Sequence, residues 1–175
     1  SELLAPGMEI GIRNVALVGH GGSGKTTLAA HLASQVHASP QPCLLIDADP
    51  HGSLTLWHKL RDTNEPPLKV ANRTVTEIVA AAKRDGVEWV FIDTPPNTSA
   101  VVDDAIKNAT MVIIPARPGV FDVNAVQDTI QSCRSARKPY AVVINGAPAR
   151  RDDVESRIVT IAREAPATFT APARP

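Results

Sequence analysis

The 175-residue chain predicts an α/β protein, an open and mostly parallel sheet flanked by helices on both faces. Three observations carry this. Five short apolar runs, at 15–18, 43–46, 90–92, 111–114 and 141–144, are β-branched or Leu-rich and do not alternate with polar residues. Strands buried on both faces read this way. Helical patterns fill the intervals, as βαβ units require. Every run also ends in polar or turn residues, so one rim of the sheet gathers the chemistry.

The helices follow in order. Residues 25–36 carry Leu28, Leu32 and Val36 at spacing four. A short helix is expected over 53–60, holding Trp57, and a short strand over 68–70. Residues 75–83 place Val75, Ile78, Val79 and Ala82 on one face, and 99–108 do the same with Val102, Ala105 and Ile106. Residues 123–133 follow with Val123, Val126 and Ile130, and 153–163 with Val154, Ile158 and Ile161. Residues 1–10 read as an N-terminal extension, 11–165 as a single domain, and 166–175 as a Pro-rich tail that frays or lies extended.

Composition excludes several classes. Eighteen Lys+Arg balance eighteen Asp+Glu, so neither a nucleic-acid-wrapping tail nor attraction to an anionic membrane is expected. No apolar stretch approaches 18 residues, and 1–10 lack the pattern of a secretory leader. Cys43 and Cys133 are expected to be reduced structural thiols in a cytosolic protein. His20, His31, His37, His51 and His58 have no Cys or Asp partners at metal-ligand spacing and read as surface or helix residues. The basic clusters Arg150-Arg151 and Arg134/Arg137/Lys138 read as a solvated face. Trp57 and Trp89 read as core or interface residues.

After the first run comes Gly19-His20-Gly21-Gly22-Ser23-Gly24-Lys25-Thr26, a gapless G-x-x-x-x-G-K-[ST] between a strand and a helix. The glycines let successive backbone N–H groups turn inward around a phosphate, and the helix N-terminus adds partial positive charge. The fold expected is therefore of the P-loop NTPase type. Lys25 should reach the β- and γ-phosphates, Thr26 should ligate Mg²⁺, and Thr27 should bond the α-phosphate. Asp93 closes the apolar strand Trp89-Val90-Phe91-Ile92-Asp93 and is placed to hold Mg²⁺ through water. Asp47 and Asp49 follow the second run. They are expected to point to opposite faces and to have different jobs. One supports the metal or Lys25, and the other orients the attacking water.

The opening from Gly11 to Thr27 looks like a translation-factor GTPase. The likeness ends there, because N-K-x-D is missing at Asn145-Gly146-Ala147-Pro148 and D-x-x-G is missing after Asp93. No Arg-rich lid insert suggests a small-molecule kinase. From the phosphate loop to about residue 164 the chain instead resembles the ParA/MinD family of partition-type ATPases, in particular small ParA-like proteins. The resemblance is carried by Gly21 to Thr27, by Leu45-Ile46-Asp47-Ala48-Asp49-Pro50-His51-Gly52-Ser53 and by Phe91-Ile92-Asp93-Thr94-Pro95-Pro96. Ile113-Ile114-Pro115-Ala116-Arg117-Pro118 and Val142-Val143-Ile144-Asn145 complete it.

The resemblance implies Mg²⁺–ATP binding, a nucleotide-dependent homodimer, and slow hydrolysis of ATP to ADP and phosphate that drives plasmid or chromosome partition or cargo positioning. It implies Lys25 and Asp49 as catalytic residues, with Asp49 positioning the water. Thr26, Asp47 and Asp93 would serve Mg²⁺. Gly21, Gly22, Ser23, Gly24, Lys25, Thr26 and Thr27 would hold the nucleotide. Asn145 would touch adenine, and Arg117, Pro118 and Pro148 would line the base pocket. A ParB-like activator or cargo adaptor and a bacterial cytoplasmic or nucleoid-associated location also follow from it. DNA contact finds no support in the charge, and no membrane is implied.

Three departures stand out. The family's K-G-G-x-G-K-T has a first Lys that reaches the partner's phosphates; here that position is His20, a shorter side chain with an ordinary pKa near 6.5. His51 replaces the Gln of D-x-D-P-Q-G. The chain also ends where family members continue into another strand and a final helix. His20 and the short C-terminus motivate a second expectation, a hydrolysis-poor nucleotide-binding switch or degenerate member with no DNA-segregation role.

Overall fold

Runs without polar alternation become strands whose two faces are both covered. In the computed structural model, which describes residues 11–117, 122–147 and 168–172, the order begins β1 (Arg13–Leu17), α1 (Lys25–Ala38), β2 (Cys43–Asp47), α2 (Ser53–Lys59), β3 (Leu68–Val70), α3 (Val75–Arg84). It continues β4 (Trp89–Asp93), α4 (Ala100–Asn108), β5 (Met111–Ala116), α5 (Asp122–Ser135), β6 (Tyr140–Ala147), β7 (Thr168–Pro172). The strands form one sheet in the order β3-β2-β4-β1-β5-β6-β7, and every neighbouring pair is parallel. The expected fold class is met.

Alternate residues of each central strand enter different cores. Val15, Leu17, Leu45 and Phe91 face Ala29, Ala30, Ala33 of α1 and Leu54 of α2. Ala16, Val18, Leu44, Ile46, Val90 and Ile92 face the apolar stripes of α3, α4 and α5. Both sides of the pleat are therefore dry. On α1 the buried contact is made by the alanines, while Leu28, Leu32 and Val36, expected to form the face, pack only partly buried beside it. Small side chains bring the helix axis close to the sheet, and the larger ones fill the flanks. Thr74 and Ser99 cap α3 and α4, accepting bonds from Glu77 N at 3.2 Å and Val102 N at 3.3 Å.

The aromatic and sulfur side chains serve packing. Trp89 stacks on Phe91 at 5.9 Å between ring centroids, with the Arg13 guanidinium 4.7 Å from its ring. Arg61 covers Trp57 at 4.5 Å. Cys43 and Cys133 are buried free thiols, and burial pushes Cys133 up to about 11, the character of a core residue rather than a nucleophile.

Residues 168–172, expected to belong to a frayed or extended tail, instead form β7 beside β6. Thr168-Phe169-Thr170 has the β-branched and aromatic character that strands favour, and Pro172 stands at the end of an outer strand, where a missing N–H is tolerated. The expected helix at 153–163, the extension at 1–10, residues 173–175, Pro118, Pro148 and Arg150-Arg151 lie outside the described residues. Among the described residues no helix is long and apolar enough to cross a membrane.

Candidate functional site

The topology fixes where a ligand meets the sheet. From β1 the chain passes over α1 to β2 on one side; from β4, the neighbour of β1, it passes over α4 to β5 on the other side. The exits of β1 and β4 thus diverge to opposite faces and open a crevice at the carboxyl rim. The Gly-rich loop leaves β1 there, and Asp93 ends β4 there, level with Leu17 across the ladder. Thr94 locks the exits together, its buried hydroxyl donating to the Leu17 carbonyl at 2.7 Å.

The loop is drawn in around one carbonyl. His20 O accepts from Ser23 Oγ at 2.8 Å, from Ser23 N at 3.3 Å and from Lys25 Nζ at 2.9 Å. Gly22 and Gly24 take φ of 74° and 105°, left-handed values that turn the loop into α1. Helix α1 begins at Gly24 with no side-chain cap, so its first N–H groups lack the acceptor that Thr74 and Ser99 supply elsewhere. Lys25 is buried, and that burial pulls its ammonium below the ordinary range, against Asp93 and Asp49, which pull it upward.

Asp93 is the electrostatic centre. Its side chain is fully buried, and Oδ2 accepts from Thr26 Oγ1 at 2.7 Å. Its other oxygen, Oδ1, is buried with no hydrogen-bond partner. Desolvation pushes Asp93 up to about 6; the Thr26 hydroxyl and Lys25 pull it down, while Asp47 and Asp49 push it further up. A half-satisfied buried carboxylate beside a threonine hydroxyl suits a hard divalent cation, although among the described residues no group of three His, Cys, Asp or Glu side chains is placed to hold one by itself.

Asp47 and Asp49 differ for a reason other than the expected division between faces. Residues i and i+2 of an extended strand share a face. They part because β2 ends at Asp47 and Asp49 already lies in the turn before α2. Asp47 stands level with Asp93 in the ladder. Its Oδ2 accepts from Thr55 N at 2.8 Å and Thr55 Oγ1 at 2.5 Å, and its Oδ1 from Asp49 N at 3.2 Å. Asp47 thus holds the start of α2, where Gly52 provides no side-chain cap. Asp49 Oδ1 accepts from His51 N at 3.0 Å and lies 2.9 Å from His51 Nδ1. His51 is 79% exposed and Asp49 13%.

Asn145, Arg117 and His20 also lie at the loop. Asn145 Nδ2 donates to the Ser23 carbonyl at 3.0 Å, reaching over from β6. The Arg117 guanidinium lies against Gly22, 3.9 Å from the point where a Cβ would stand. His20 turns its Nδ1 back to the Gly21 carbonyl at 2.9 Å. Thr55 and Thr94 escape notice in the sequence. A strand-end aspartate followed by an uncapped glycine is the one signal that points to Thr55.

Gly24→Ala is expected to destabilise the protein by about 1–3 kcal/mol, since φ of 105° strains any other residue and the new methyl would stand 2.4 Å from Asn145 Nδ2. Adding Asn145→Ala should relieve the clash but not the strain, so denaturant titration of the four proteins in the cycle should show a partial rescue. Additive losses would contradict the contact.

A family model described as the CobQ/CobB/MinD/ParA nucleotide binding domain matches residues 15–165. Protein ParA of Rhizobium radiobacter is 31% identical over 113 residues, 63% of this chain and 51% of its own length. The maintenance of carboxysome distribution protein A of Gloeobacter kilaueensis is 33% identical over 116 residues, 65% of this chain and 53% of its own. The chain therefore spans about half the length of the curated relatives it matches. Among solved structures, the Cyanothece McdA(D38A)–ATP complex superposes with a TM-score of 0.70 at 18% identity, over 93% of this chain and 82% of that one.

Proposed function

The chain belongs to the CobQ/CobB/MinD/ParA nucleotide-binding family, and from that premise we propose that it is an ATPase that binds Mg²⁺–ATP, dimerises with nucleotide bound, and hydrolyses ATP slowly to drive partition or positioning of a cargo. The observation that carries the reading is the convergence of Lys25, Thr26 and Asp93 at the mouth of an uncapped helix. A ParA protein and a protein of carboxysome distribution among the relatives, and a solved neighbour in complex with ATP, support the reading.

Each residue then has a task. Backbone N–H groups of Gly21 to Thr27 and the start of α1 receive the phosphates. Lys25 exchanges the His20 carbonyl for β- and γ-phosphate oxygens, and Thr27 serves the α-phosphate. Thr26 and Asp93 would hold Mg²⁺, and the ion, when bound, would neutralise phosphate charge. Asp47 acts one step removed, fixing α2 and the turn that carries Asp49 and adding negative field at Asp93. Asp49 orients the attacking water. Asn145 fixes the loop through Ser23 and borders the adenine. A ParB-like activator or an adaptor on the cargo would engage the nucleotide-bound dimer in the bacterial cytoplasm or at the nucleoid.

A second reading is favoured by His20 and His51. The position of the family's cross-dimer Lys holds an imidazole bonded to its own loop, and Asp49 already has His51 against its carboxylate. Both favour a nucleotide-dependent switch with little turnover. Size-exclusion chromatography with light scattering tests the dimer: mass should double with Mg²⁺–ATP and not with ADP, and one unchanged mass would contradict it. Phosphate release separates the readings, since an ATPase exceeds its Asp49→Ala variant and a switch does not.

A further inference from the structure

We propose that Arg117 binds the polyphosphate of the nucleotide from within the same chain, a role at the phosphate loop rather than at the base. The inference rests on the ATP-binding reading and adds a contact to it. A Cβ built on Gly22 would lie 3.9 Å from Cζ, Nη1 and Nη2 of Arg117 alike. Equal distances to three atoms of one plane mean that the guanidinium lies broadside over the loop. Its N–H donors lie in that plane, beside Gly22.

The fold brings it there. Strand β5 neighbours β1, with Leu17 level with Ile113, and Arg117 directly follows β5. The exit of β5 also abuts the loop, for a Cβ on Gly19 would stand 3.1 Å from the Pro115 carbonyl. The guanidinium thus lies against Gly22, in the same loop that leads into the uncapped start of α1 and whose Lys25 ammonium donates to the His20 carbonyl. A guanidinium beside a glycine-rich loop and a lysine ammonium suits an anion with several charges. A guanidinium is charged at every physiological pH and grips phosphate bidentately. It adds in cis a permanent charge at a loop whose His20 ring is turned to the Gly21 carbonyl.

The test is equilibrium binding of ATP and of inorganic tripolyphosphate, which has no base, to wild type, Arg117→Ala and Arg117→Lys. Arg117→Ala should weaken both ligands by about 10- to 100-fold, the range for losing charge-assisted hydrogen bonds. Arg117→Lys should fall between it and wild type. Arg117 is exposed, so the thermal midpoint without ligand should move no more than an ordinary surface substitution moves it. A variant that weakens ATP but leaves tripolyphosphate untouched would place Arg117 at the base and overturn the inference, as would equal binding by all three proteins or a wild type that ignores tripolyphosphate. Failure of the wild type to bind ATP at all is a different outcome, and it overturns the parent reading as well.

Discussion

Asp93→Asn is expected to stabilise the ligand-free protein at pH 8 while abolishing its response to Mg²⁺. In the native chain burial raises Asp93 from 3.8 to about 6. A carboxyl whose folded pKa is raised contributes stability that is fully present below the unfolded value. That contribution is lost as pH rises through the folded value. The window is therefore pH 4 to 6, and the shift corresponds to at most about 3 kcal/mol. Asparagine keeps an oxygen to accept from Thr26 and carries no charge to desolvate. In urea titrations from pH 4 to pH 8, the variant should gain on wild type by about 2–3 kcal/mol across that window. A difference that does not change with pH would contradict the electrostatic account. With ATP present, added Mg²⁺ should raise the melting temperature of the wild type and leave the variant unmoved. Such a gain in stability coupled to a loss of function is expected where burial holds a charged group ready for a ligand.

Lys25→Ala is expected to weaken ATP binding by at least about 100-fold, the loss of charge-assisted bonds to two phosphates. The ligand-free fold should survive, because Ser23 still donates to the His20 carbonyl through N and Oγ. Removing Lys25 also removes a positive charge that holds Asp93 down, so the Asp93 carboxyl should titrate higher in this variant. The two substitutions share an interaction and should not add in stability. Fluorescence titration with a labelled ATP, paired with urea unfolding, measures both effects. ATP binding as tight as in wild type would remove Lys25 from the site.

Much of this was legible in the residues, and the limits are physical. Runs such as Cys43 to Asp47 state their burial directly, because a strand covered on both faces has no polar alternation. The rim was legible for the same reason: polarity begins where the covering helices end. What depends on contacts across the sheet was not. Strand β7 requires the exposed edge of β6 to pair with, and Thr168 to Pro172 alone reads as tail. The close seat of α1 depends on Ala29, Ala30 and Ala33, whose small size weakens the periodic signal that Leu28, Leu32 and Val36 emphasise. Asp47 was legible as an acid at the rim, but its engagement by Thr55 depends on how α2 returns over β2. Arg117 follows β5 in sequence, and only the adjacency of β5 and β1 brings it over Gly22.

One Mg²⁺–ATP held by Lys25, Thr26 and Asp93 at the exits of β1 and β4 is the arrangement on which the proposed activity depends. Equilibrium dialysis of the wild-type chain against ATP, in Mg²⁺ and in EDTA, tests it most directly. One nucleotide should bind per chain, held at least about tenfold more weakly in EDTA, the minimum expected from losing a cation that would neutralise phosphate charge. No bound ATP, or binding of equal strength with and without Mg²⁺, would contradict it.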